Sequence, residues 1–138
     1  MSSSTIPTIV LEVKETKQDI QEEFPIIFDP IPHFINSAIY SYCFNGVIII
    51  NSTGLFLVSF FVKGATVNTT IFSFAIKHNS EIKETYFATE LGNQLKGSAM
   101  LQVNSGDQVS IVNLTEQGAV VRLAPNGTVD AQITIQQI

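Results

Sequence analysis

The chain has 138 residues, 45% of them apolar and only 14% charged, with a net charge of −5. That length fits one domain, large enough to bury roughly 70% of its unfolded surface without metal or disulfide support. Arg122 is the only arginine and no basic stripe exists, which argues against nucleic acid and anionic membrane surfaces as partners.

In chain order, Met1–Thr5 lacks the basic region of a secretory leader, so no signal peptide is expected. Ile6 to Val13 is dense in β-branched residues, and Ile9, Leu11 and Val13 share one face at period two. Pro7 cannot donate to a ladder, so this stretch is expected to be an edge or added strand. Residues 14–23 are polar, with Ile20 as their single large apolar residue, and read as a solvated linker or frayed helix. Residues 1–23 are thus expected to form an arm and linker, and residues 24–138 the domain.

Pro25, Pro30 and Pro32 make residues 24–37 an extended lead-in. Beyond it the spacing predicts short strands near 38–44, 46–51, 55–62, 69–77, 82–89, 98–103, 108–114, 118–123 and 129–137. Turn chemistry separates them, including Asn45-Gly46, His78-Asn79-Ser80, Gly92-Asn93, Ser105-Gly106-Asp107, Gln117-Gly118 and Asn126-Gly127. So many short strands indicate an all-β sandwich or barrel. The run from Leu55 to Val62 is apolar almost throughout and is expected to be covered on both faces, by the core or by a subunit contact involving Phe56, Val58, Phe60 and Val62.

Chemistry is sparse. Cys43, the only cysteine, is read as a buried small hydrophobe. His33 and His78 have no acidic or thiol neighbour at ligand spacing, so neither a metal nor a cofactor is expected. One His per subunit on a threefold axis could make a three-ligand site, with His33 the better candidate, and a structural histidine is preferred. No Gly-x-Ser-x-Gly elbow, P-loop or dinucleotide fingerprint occurs, and Glu22-Glu23 lie in the linker, so no enzyme activity is expected. Four Asn-x-Ser/Thr sequons begin at Asn51, Asn68, Asn113 and Asn126, and without a leader they are expected to go unused.

Two stretches carry a family resemblance. Gly54-Leu55-Phe56-Leu57-Val58-Ser59-Phe60 and Gly97-Ser98-Ala99-Met100-Leu101 through Gly106-Asp107-Gln108-Val109 resemble the paired signatures of the complement-type globular head and tumour necrosis factor superfamily. Ala131 to Ile135 resembles its closing strand. The resemblance, over residues 36–138, implies a jelly-roll sandwich that trimerises and binds rather than catalyses. Phe56 stands where that family often has tyrosine, and neither a collagen stalk nor an acidic calcium cluster is present. In its apolar, Asn-, Thr- and Gly-rich character the chain resembles small bacterial members found on endospore surfaces.

Two functions follow from this. The first is a self-assembling structural subunit, a homotrimer at a cell or spore surface, linked to neighbours or to other spore-surface proteins through an arm of Ile6, Ile9, Val10, Leu11 and Val13. The second is a trimeric binding head, lectin-like or receptor-recognising, on a surface or phage structure. Short loops and aromatics placed within strands favour the first.

Overall fold

The computed structural model describes residues 6–42, 45–66, 71–87, 94–115 and 119–138. Cys43, the sequon at Asn68, and the turns at Gly92-Asn93 and Gln117-Gly118 lie outside the described residues.

Thirteen strands follow one another, and no helix interrupts them among the described residues: β1 (Thr8–Val13), β2 (Gln18–Ile20), β3 (Phe34–Ile35), β4 (Tyr40–Tyr42), β5 (Ile48–Ile50), β6 (Gly54–Lys63), β7 (Ala65–Thr66), β8 (Ser73–His78), β9 (Glu81–Phe87), β10 (Gln94–Val103), β11 (Asp107–Asn113), β12 (Val121–Leu123) and β13 (Ala131–Gln137). One sheet runs β10-β6-β13-β1-β3, a second β4-β5-β11-β8-β9, and a small third β2-β12-β7. Every described strand pairing is antiparallel. The two five-stranded sheets enclose one core of alternating inward residues, which is the jelly-roll sandwich expected from the turn spacing.

Period-two patterning explains who faces the core. On β6, Phe56, Val58, Phe60 and Val62 are all at most 5% exposed, while Leu55, Leu57, Ser59 and Phe61 point the other way. The four expected core-or-trimer residues therefore belong to the core of their own subunit. Leu55, on the other parity, is 38% exposed in the single chain, so the second cover expected for this strand does not come from the chain's own core. Across the sandwich Tyr40 packs edge-on against Phe56, with centroids 6.2 Å apart, and its hydroxyl donates to the Pro7 carbonyl at 2.8 Å. Burial pushes the Tyr40 hydroxyl well above its usual pKa.

The detached arm is not what the structure shows. All six residues of β1 pair with β13, and β3 pairs with its other side. Ile9, Leu11 and Val13 are fully buried in the common core; Val10 is half-buried on the opposite face, and Ile6 is exposed before the strand begins. Pro7 does not contradict this, because it precedes Thr8 and its missing donor falls outside the ladder. Nor are residues 14–23 a loose linker. Asp29 accepts bonds from the backbone N–H groups of Lys14 (2.9 Å) and Thr16 (3.1 Å) and from the Thr16 hydroxyl (2.6 Å). Gln18 exchanges two bonds with the Ile27 backbone, and Ile20, 3% exposed, anchors β2 against β12. The boundary expected at residue 23 thus falls inside the packed domain.

The proline-rich lead-in is woven in too. Pro25 bridges to Val112, and Ile26 donates its N–H to Ile111, so the segment continues the sheet beyond short β5. Gly46 (φ +86°), Gly106 (+95°) and Gly127 (+79°) occupy left-handed turn positions where glycine carries no steric cost. Asn79, at φ +55°, does the same in the β8–β9 turn.

Candidate assembly face

The residues that β1, β6, β10 and β13 turn away from the core meet in rows across the first sheet. One row is Lys96–Phe61–Gln132–Glu12. The next is Ser98–Ser59–Thr134–Val10–Phe34, then Met100–Leu57–Gln136–Thr8, and then Gln102–Leu55. Only Lys96 and Glu12 in these rows are charged. Phe34 is 47%, Leu55 38% and Met100 60% exposed, and Ile138, 64% exposed, hydrogen-bonds beside Leu55 through its N–H. A broad face of apolar, Ser, Thr and Gln side chains, with charge confined to the Lys96–Glu12 row and to Lys63 in the row beside it, has the composition of a protein contact surface.

Glu12 is not left bare on that face. Its Oε2 accepts a bond from the Gln132 amide at 2.8 Å, and its Oε1 lies 3.2 Å from Nδ1 of the exposed His33. The one charge near the middle of the sheet is thereby committed to neighbours in its own chain, which lowers the cost of covering the face.

His33 therefore belongs to a pair with Glu12 rather than to a ligand cluster. His78 also has a carboxylate partner, Asp107, 2.8 Å from its Nε2. Neither pairing was readable from chain spacing, since 21 and 29 positions separate the partners. The Asp107 carboxyl is held below its ordinary pKa first by the Asn104 N–H, then by the side chains of His78 and Asn79. The cleft of about 240 Å³ beside His78 is lined by Lys83, Glu84, Ala99, Met100, Leu101 and Gln102, with no hydroxyl or thiol to act as nucleophile. Among the described residues no group of three or more His, Cys, Asp or Glu side chains is placed to hold a metal.

The sequons divide by geometry. Asn113 is fully buried, its amide donating to the carbonyls of Ile20 (2.8 Å) and Ala119 (3.1 Å) and accepting from the Thr115 N–H (2.9 Å). It is a structural hub joining β11 to the small third sheet, a role that its neighbours in the chain do not signal. Asn51 and Asn126 are exposed.

By sequence, no family model and no curated protein matches the chain. By structure, matches extend over nearly its whole length. The globular domain of zebrafish complement 1qA protein covers 96% of this chain and 97% of its own, with a TM-score of 0.70 at 12% identity. A tumour necrosis factor protein of S. frugiperda, Eiger, covers 98% and 94%, with a TM-score of 0.75 at 14% identity. Murine APRIL covers 97% and 100%, with a TM-score of 0.73 at 12% identity. The fold is the tumour necrosis factor-like jelly roll. The share of this chain covered includes β1, so the first strand belongs to the common architecture and is not an appendage to it.

Proposed function

We propose that the chain is a homotrimer-forming jelly-roll head that works by assembly and binding rather than by catalysis. The observation that carries this reading is the outer face of the first sheet, weakly charged and studded with half-exposed Leu55, Leu57, Phe61 and Phe34. Its rows span four strands, and its one central carboxylate is already partnered. The setting we propose is a cell or spore surface, where a weakly charged structural subunit is covered by other copies. The link between neighbours in such a layer is not the first strand, which is committed to its own sheet.

That commitment also favours a second reading, a trimeric binding head in which the second sheet and the loops at the sandwich ends stay open to a partner. Sedimentation of the wild type at micromolar concentration tests the trimer on which both readings rest. Leu57→Asp, which puts a charge at the centre of the face without touching the core, should yield folded monomer. A wild type that is monomeric at those concentrations overturns the proposal. Electron microscopy then separates the readings: ordered layers or fibres support the structural subunit, and discrete particles the binding head.

A further inference from the structure

Asparagine followed by glycine carries a reaction of its own, because a residue without Cβ lets its backbone nitrogen close on the preceding side chain. The chain has two such pairs, Asn45-Gly46 and Asn126-Gly127, and the fold treats them oppositely. The first pair is tied down. The Asn45 Oδ1 accepts the Val47 N–H at 3.1 Å, and Gly46 is buried where a Cβ would run into the Ile26 carbonyl oxygen. The Asn45 carboxamide cannot turn towards the Gly46 nitrogen without giving up the Val47 bond. The second pair is open. Asn126, Gly127 and Thr128 are all exposed in the bend between β12 and β13, and nothing lies within 4 Å of where a Gly127 Cβ would stand. Among the described residues no hydrogen bond engages the Asn126 carboxamide or the Gly127 N–H. Asn36, Asn51 and Asn79, each followed by serine, are tied as Asn45 is, to the Thr8 N–H, the Ser41 hydroxyl and the Gln108 N–H.

We propose that Asn126 is a covalent modification site of the folded protein, deamidated by its neighbouring backbone nitrogen, while the fold protects the chemically equivalent Asn45. The Gly127 nitrogen gives its proton to solvent and attacks Cγ of Asn126. The new C–N bond closes a succinimide ring, and the side-chain nitrogen leaves, protonated, as ammonia. Water then adds to one of the two ring carbonyls and breaks its bond to the ring nitrogen. One opening leaves aspartate at position 126, and the other leaves isoaspartate, with the backbone running through the former side-chain carbon. Either product adds a negative charge and removes the sequon that begins at Asn126. The bend has room for the longer backbone of isoaspartate, whereas at position 45 the same lengthening would fall where Pro25 and Ile26 pack onto Gly46. The native chain thus ages at one turn and keeps its fold. The inference depends on neither reading of the assembly.

Incubating the full chain in mildly alkaline heavy-oxygen water, then mapping its peptides by mass spectrometry, reads both sites in one sample. Circular dichroism establishes that the protein stays folded throughout. Conversion at Asn126 should run at least about tenfold ahead of conversion at Asn45, because Asn45 reacts only from a locally opened turn. The same incubation in guanidinium chloride should bring the two rates together, which separates protection by the fold from a preference of the local sequence. Asn126→Gln should remove the acidic species that accumulates in the wild type. Folded protein in which Asn45 converts as fast as Asn126, or in which Asn126 stays intact, overturns the inference. So does a rate ratio that survives unfolding, or an acidic species that forms as fast in Asn126→Gln as in the wild type.

Discussion

Deleting residues 1–13 should unfold the domain. Ile9, Leu11 and Val13 are all fully buried, and at about 1.5–3 kcal/mol per buried side chain they contribute roughly 5–9 kcal/mol of transfer free energy. The deletion also strips β13 of a partner along six residues and leaves its inner edge open in the middle of the sheet. Native domains hold only about 5–15 kcal/mol in reserve, so the loss consumes most or all of it. The milder Leu11→Ala should cost about 2–5 kcal/mol. With a urea slope of about 1–3 kcal/mol per molar, that lowers the midpoint by at least about 0.7 M. Urea titration followed by far-ultraviolet circular dichroism checks both variants, and a peptide of residues 1–13 added in trans should restore structure to the truncated chain. A truncated protein that unfolds cooperatively at the wild-type midpoint would show that β1 is an accessory to the sandwich and refute the reasoning.

Other perturbations have defined directions. Gly97→Ala drives a methyl into the Tyr86 ring and should destabilise by about 1–3 kcal/mol, the usual range for overpacking, read by the same titration. Asn113→Ala leaves the buried carbonyls of Ile20 and Ala119 unpaired and should cost about 1–3 kcal/mol; an unchanged midpoint would mean that these carbonyls find other donors. Asp107 has its folded pKa below the unfolded value, so its contribution is present above about pH 4 and is lost as pH falls through the folded value; Asp107→Asn should flatten the acid limb of the stability profile below about pH 4. Tyr40 is shifted the other way, so its contribution is complete below about pH 10 and declines above it, and Tyr40→Phe should flatten the alkaline limb.

What could be read from the chain was whatever period two and turn chemistry control. Phe56, Val58, Phe60 and Val62 share one face because alternation puts them there, and the Asn45-Gly46 and Asn126-Gly127 turns do carry glycines at positive φ. The N-terminal region misled for a different reason. Polarity in residues 14–23 signals solvent only when those residues lack partners, and Asp29, Gln18 and Ile27 supply partners from within the same region. Pro7 signalled an edge, yet one residue of offset moves it out of the ladder. The buried Asn113 hub and the two His–carboxylate pairs depend on contacts between segments distant in the chain, which no local pattern encodes.

The outer face of the first sheet was hidden by the same alternation that revealed the core. In Leu55 to Val62 both parities are nearly apolar, so the sequence reports a doubly covered strand without saying which parity belongs to which cover. The neighbours decide it. β13 reads Ala131, Ile133 and Ile135 opposite Val62, Phe60 and Val58, with Gln137 opposite Phe56 at its end, and Gln132, Thr134 and Gln136 on the parity that meets Phe61, Ser59 and Leu57. Apart from Gln137 at the end of the strand, the core side is hydrocarbon, whereas the outer side mixes hydrocarbon with uncharged hydrogen-bonding groups. A core tolerates no unpaired amide, while a contact between separately folded subunits benefits from groups that water satisfies before assembly and a partner satisfies after it. The Gln and Thr residues of β13 therefore mark the outer face as a surface that must exist in both states. Replacing Thr134 and Gln136 together by valine, with Gln132 left as the partner of Glu12, separates this from a merely mixed surface. It should leave the fold unchanged, strengthen self-association and reduce solubility before assembly; a variant as soluble and as weakly associated as wild type would show that the face is never covered.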